Sequence, residues 1–345
     1  MNSSSRGHYL PWLLGLAVLL GIIGSLLIGA YPMSFSKAAL IISHLAWPGP
    51  LPNNPAWDIK EQTVVQIIRL PRVLLATLSG MGLGMAGAAL QGVMRNPLVG
   101  PDLVGVTSGA AFGGVLGMLF SLSPVAIIGT ACFGGLAAML LTFGLAGLAR
   151  NGGNGMALIL AGVFVGAFFI ALVGLIQFVA SDAQLPGMVY WLLGSFIGAD
   201  PQKVYLAAIP TLVGGALLMT LRWRINLLSL GDLDAASLGV DVRWLRWAII
   251  AIVSLIVGAQ VSVAGVIGWV GLVVPHLARM LVGPDHRRLL PASALLGGLF
   301  VLGLDDLTRT VVSGEVPVGV LSALVGTPFI CFLFWKTQTR GWSDA

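Results

Sequence analysis

Charge is what this sequence has least of. Its 345 residues carry 13 acidic and 18 basic side chains, or 9% charged, where a soluble domain carries about a quarter. So few charges cannot keep the surface of a 35.8 kDa chain in water. Soluble enzyme, disordered chain and nucleic-acid binder are excluded together. The net +5 comes from Arg and Lys spread thinly along the chain rather than from a patch, so it points to no polyanionic partner. Two cysteines, Cys132 and Cys331, lie in apolar runs with no disulfide or ligand spacing. The four histidines, His8, His44, His276 and His286, are not spaced as axial pairs, and no lysine follows a glycine as a phosphate-binding loop requires. No catalytic residue, metal or bound cofactor is assigned to this chain.

Apolar sequence fills the space. Hydrophobic residues make up 57%, and mean hydropathy is +0.96. No Asp, Glu, Lys or Arg occurs from Leu103 to Ala149, Asn151 to Ser181, Trp247 to Ala278 or Val316 to Trp335. A bilayer core takes roughly 20 such residues in a helix, and only helices satisfy their own backbone over such lengths without barrel alternation. The fold class is therefore all-α, a polytopic membrane protein in one domain, 1–345. Breaks at Pro, Gly and charge place about ten spans, near 10–30, 63–93, 103–120, 125–149, 155–180, 202–222, 242–261, 265–282, 289–311 and 317–336. Residues 1–30 are kept as a span, because the apolar run is too long for a signal peptide. Arg150–Asn154 reads as a turn.

With both termini inside, twelve cations fall on the inner side, among them Arg95, Arg222, Arg224, Arg243, Arg246 and Arg279. Six fall outside: Lys37, Lys60, Arg69, Arg72, Lys203 and Arg309. That is the positive-inside bias. Outside, Ser34–Leu45 and Pro186–Gly198 are too short to cross and read as interfacial or re-entrant helices. Trp47, Trp57, Tyr190 and Trp191 serve there as belt aromatics.

Many of the 47 glycines fall at small-xxx-small spacing, as in Gly80/Gly84, Gly109/Gly113/Gly117 and Gly162/Gly166. Such spacing supports close packing and equally a bundle that slides. No carboxylate falls in the central turns of a span, as a proton- or sodium-coupled carrier would need. A transporter of this kind draws its energy from another chain.

The longest polar inner stretch is 224–243. Leu227, Leu228 and Leu230 precede Gly231; Asp232–Leu238 then forms a short helix with acidic residues in its first turn and Gly239 at its C′ position. A capped knob of this kind suits mechanical contact with a cytoplasmic motor. The segment resembles the coupling helix of permease subunits of type II ABC importers, the family that takes up ferric siderophores, haem and cobalamin. Asp234-Ala235-Ala236-Ser237-Leu238-Gly239 is similar to that family's acidic-Ala-Ala…Gly signature, with Asp for the usual Glu. Arg69-Leu-Pro-Arg72, the Arg95–Gly109 stretch, Ala264–Arg279 and Glu315–Val320 are further matches.

The resemblance implies a dimer of permease chains, read as a homodimer, in a bacterial inner membrane. Two cytoplasmic ATP-binding subunits, which hold ATP and Mg, would sit below and a periplasmic substrate-binding protein above. It implies ATPase coupling through Leu230, Gly231, Asp232, Asp234, Ala235, Ala236, Leu238 and Gly239. It implies docking of acidic lobes on Arg69, Arg72 and Arg309, although Arg72 could instead satisfy helix carbonyls near Pro71. The pathway is expected along the fifth and eighth spans and the outer Pro186–Gly198 helix, with Ala161, Gly162 and Gly166 as a small, apolar wall. Arg95 and Asp102 are expected to pair across a compact inner turn, and the recurring Leu-Val-Gly-Pro-Asp at 98–102 and 281–285 is read as shared turn chemistry. The implied cargo is an iron chelate, with a ferric siderophore as first reading and haem, cobalamin or an oxyanion as alternatives.

Overall fold

A computed structural model describes residues 3–29, 31, 33–46, 57–148, 155–310 and 315–341; the expected turn at 150–154 and Trp47 lie outside them. The described residues form helices α1 (Ser3–Leu27), α2 (Phe35–Ala46), α3 (Ile59–Thr63), α4 (Leu70–Met94), α5 (Val106–Leu119), α6 (Pro124–Leu148) and α7 (Gly155–Val179). They continue with α8 (Leu185–Leu192), α9 (Pro201–Leu230), α10 (Asp232–Ser237), α11 (Val242–Ala264), α12 (Val270–Val282), α13 (His286–Thr310) and α14 (Val318–Gly341). Among these residues there is no strand. Seven stretches are long and apolar enough to cross a bilayer, and three shorter apolar helices, Val106–Leu119, Val270–Val282 and Val318–Phe332, complete the expected ten.

A π-helical turn, Val64–Arg69, joins α3 to α4, so Ile59–Met94 runs as one helix. Pro71 stands in its path without an N–H to donate, and the widened turn absorbs the mismatch. This helix is the axis of the bundle and is buried over most of its length. Packing around it relies on absent side chains. A Cβ on Gly80 or Gly84 would collide with the carbonyls of Gly297 and Ser293 on α13, and one on Gly87 with the carbonyl of Gly271 on α12. Gly109 and Gly113 meet α6 in the same way, at Gly134 and Thr130. Close backbone approach supplies the contact that lipid does not drive.

Two elements depart from the expected outline. The sixth span does not stop at 222, because α9 continues through Arg224–Leu230 to Gly231, where φ of +140° ends it. The other departure concerns α5 and α12, which have 14 and 13 residues and so cover about 20 Å of a bilayer core near 30 Å. Each is entered through non-helical backbone: a 3-10 turn at Pro101–Val104 with left-handed Gly105, and residues 265–269 with left-handed Trp269. The 3-10 turn is not an inner surface loop. Val104 O accepts from Thr142 Oγ1 at 3.0 Å, and a Cβ on Gly162 would strike Leu103 O. Thr142 and Gly162 lie about two turns, roughly 10 Å, inside the ends of α6 and α7. Asp102 is therefore carried into the bundle.

Candidate functional site: two ends and a broken middle

Helix α4 runs about 35 Å from Arg72 to its C-cap Arg95, and the candidate residues collect at its two ends. At the Arg95 end, left-handed Gly231 and Gly239 (φ +140° and +81°) bracket α10. Ala235 is fully buried and pins the helix, whereas Leu230, Leu233 and Leu238 are 61%, 87% and 60% exposed. Asp234 and Ala236 also face outward. Asp232 accepts from Arg246 Nη2 at 2.8 and 3.0 Å and lies 3.6 Å from Arg95. Asp241 then caps α11 by accepting from the Trp244 N–H at 3.0 Å. The result is a rigid knob with an apolar tip, braced by two arginines from other elements. Arg95 thus pairs with Asp232 rather than with Asp102, which is drawn away with the 3-10 turn.

Beside the knob, Asn226 of α9 donates to Asp285 Oδ1 at 2.6 Å, and its own oxygen accepts from the His286 N–H at 2.8 Å. Burial pushes the Asp285 carboxyl up, but the Arg287 N–H and the Asn226 amide outweigh it and hold the group below its ordinary range. The two Leu-Val-Gly-Pro-Asp strings do not share a turn. Gly100 is extended at φ −116° while Gly283 is left-handed at +81°, and Asp285 starts α13 where Asp102 enters the bundle.

The opposite end holds Arg69, Arg72 and Arg309, and none stands free toward solvent. Arg69 is 3% exposed and caps α1 by donating to Leu26 O, Leu27 O and Tyr31 O at 2.9, 3.2 and 2.7 Å. Arg72 forms a fork across Asp305 (2.9 and 3.1 Å) and Glu315 (3.0 and 2.8 Å). Arg309 reaches Ile28 O at 2.9 Å, Ser25 Oγ at 2.7 Å, Asp305 and Asp306. In this structure the three guanidinium groups are turned inward and almost closed to solvent. Their donors are consumed tying α1, α4, α13 and the entry to α14 together.

Ala161, Gly162 and Gly166 are buried, Gly162 against Leu103 and Val104 and Gly166 beside Ser108 and Gly105. The cavities lie elsewhere. One of about 430 Å³ sits at the Arg72 end under α8, lined by Met118, Ile127, Tyr190, Trp191 and Lys203 among others. A second, of about 310 Å³, lies between α4 and the two broken entries, lined by Leu83, Leu98, Pro101, Asp102, Ile267, Trp269 and Leu272 among others. Sequence reasoning missed Asp102 as a cavity residue and Arg246 as the brace of α10. Pro97 and Pro101 announced a turn but not its depth.

The arrangement, a helical bundle with a braced knob at one end and broken helices inside, has known relatives. The family model of the FecCD transport family matches residues 16–336. The chain belongs to that family. It is an ABC importer permease and a multi-pass membrane protein, as the resemblance implied. The molybdate import system permease protein MolB of Haemophilus influenzae is 38% identical over 335 residues, covering 96% of this chain and 97% of its own. The hemin transport system permease protein HmuU of Yersinia pestis is 39% identical over 346 residues, covering 96% of each. A metal-chelate type ABC transporter solved in an inward-facing conformation superimposes with a TM-score of 0.84 at 36% identity, over 95% of this chain and 99% of that one. Relatives this similar carry names for unlike cargoes, so family membership alone does not select one.

Proposed function

We propose that this FecCD-family permease is the membrane-spanning subunit of an ATP-driven importer that moves an iron chelate, a ferric siderophore in the first instance, from periplasm to cytoplasm by alternating access. Two copies form the pathway. Two cytoplasmic subunits bind ATP and Mg beneath them, and a periplasmic binding protein delivers the cargo from above. Both termini and α10 lie in the cytoplasm.

The observation that carries this reading is the α10 knob, whose leucines are bare while Ala235 and Asp232 anchor it. Exposed apolar side chains on a rigid projection mark a protein contact. At the other end, the arginine network shapes the surface on which the binding protein docks, through the rim of Glu315 and Asp306, whose side chains keep 35% and 21% exposure. Motion of α10 passes to α9, whose last turn leads directly into it, and through Asn226 to the start of α13.

An oxyanion is the second reading, because MolB, a relative matched over nearly the whole of both chains, carries the name of a molybdate import permease. The test is uptake in proteoliposomes holding the permease with its ATPase and binding protein. ATP-dependent accumulation of a radiolabelled ferric chelate is expected, and none without Mg. Accumulation of molybdate alone would replace the chelate by an oxyanion. Uptake driven by a proton gradient without nucleotide would falsify the importer assignment itself.

A further inference from the structure

The 310 Å³ cavity between the two broken entries has one feature the importer reading does not use. Asp102 is solvent-exposed within it although its segment lies roughly 10 Å inside the bundle. Among the described residues, the hydrogen bond its carboxylate accepts comes from Thr107 Oγ1 at 2.9 Å, onto Oδ1. The other oxygen, Oδ2, faces Gly268, where a Cβ would stand 3.9 Å away. A carboxylate carried this far into an apolar bundle, with one protein hydrogen bond to hold it, is costly, and such groups mark pathways and ligands. Across the cavity stands Trp269, held at φ +69°. That conformation is strained for a bulky residue and is retained where the surrounding structure requires it. Helices broken on both sides of a cavity are how membrane carriers place polar backbone beside a cargo.

We propose that Asp102 and Trp269 form a transit subsite for a cationic arm of the cargo, such as an ammonium group, and that the same carboxylate disfavours anions. The proposal rests on the iron-chelate reading and narrows it to chelates that bear positive charge. A carboxylate and an indole are the side chains that hold an ammonium group out of bulk water, and 310 Å³ admits an arm rather than a whole chelate. A dianion entering here would meet a like charge.

The test uses the complete transporter in proteoliposomes and two probes, a ferric tris-hydroxamate with a free terminal amine and the same chelate with that amine acetylated. One binding protein serves both, so the change in their uptake ratio between wild type and variant isolates the side chain. Asp102→Asn keeps the Thr107 hydrogen bond and removes the charge. The wild type is expected to favour the amine form, and Asp102→Asn to reduce that ratio about tenfold; Asp102→Glu should retain the preference. Should Asp102→Asn fail to accumulate in the membrane, Trp269→Leu reads the same ratio from the other wall. Unchanged ratios with both probes still imported overturn the subsite and leave the importer reading standing. Import of molybdate but of neither chelate by the wild type overturns the iron-chelate reading, and the subsite with it.

Discussion

The two ends of α4 treat charge in opposite ways. At the Arg72 end, three arginines and their carboxylates are folded into a network whose guanidinium groups are almost closed to solvent, with side-chain exposures of 9% for Arg72, 5% for Arg309 and 0% for Asp305. At the Arg95 end, a half-exposed Asp232 (38%), held by Arg95 at 46% and by the closed-off Arg246 at 6%, braces a helix whose apolar residues are bare. One end spends its polar groups on holding itself together; the other uses them to hold something out. Sequence shows arginines at both ends and gives no sign of this contrast, because burial is decided by what packs over a residue.

The sharpest way to break the contrast is Arg72→Ala. It leaves Asp305 buried without its fork and Glu315 without its partner, a loss of about 3–5 kcal/mol. A large fall in thermal stability of the detergent-solubilised protein is expected, and Arg72→Lys should recover only part of it, since an ammonium cannot bridge both carboxylates bidentately. An unchanged melting temperature would show that the network is not what holds this end.

At the α10 end the same comparison predicts lost function with intact folding. Leu233→Asp combined with Leu238→Asp should cut ATP-driven uptake by about a hundredfold, on the scale of one interface hot spot, while the protein melts normally. Gly239→Pro or Asp234→Lys should reduce uptake in the same assay. Retained uptake in all three would remove the coupling assignment. Asp232→Ala should be milder, about 1 kcal/mol, because its pairs are part-exposed; thermal melts and ATPase stimulation by the permease would both register it. Lys37→Ala, which removes a surface pair to Glu61 at 2.8 Å, should leave the melting temperature all but unchanged.

Much of the fold was legible. Charge-free runs and Pro/Gly breaks locate ten apolar helices because span length is set by the bilayer, not by neighbours. The glycine spacing at Gly80/Gly84 and Gly109/Gly113 likewise marks true backbone contacts. The α10 helix could be read because two glycines and its acidic first turn are local signals. Three things were not local. The partner of Arg95 depends on where Asp102 is carried, the depth of Pro101–Val104 depends on α6 and α7, and the occupants of Arg69 and Arg72 come from α1 and α13. Small residues at 161, 162 and 166 carry equal signals for a wall and for a seam, and only packing separates them.

At the crossing of Gly80 with Gly297 and of Gly84 with Ser293, main chain rests on main chain. No rotamer stands between the two rods, so the contact has no side chain that could repack. Helices α4 and α13 are expected to travel as one beam during a transport cycle. The yielding joints of this machine belong to the segments with gaps and loose backbone, the short α5 and α12 with their unwound leaders.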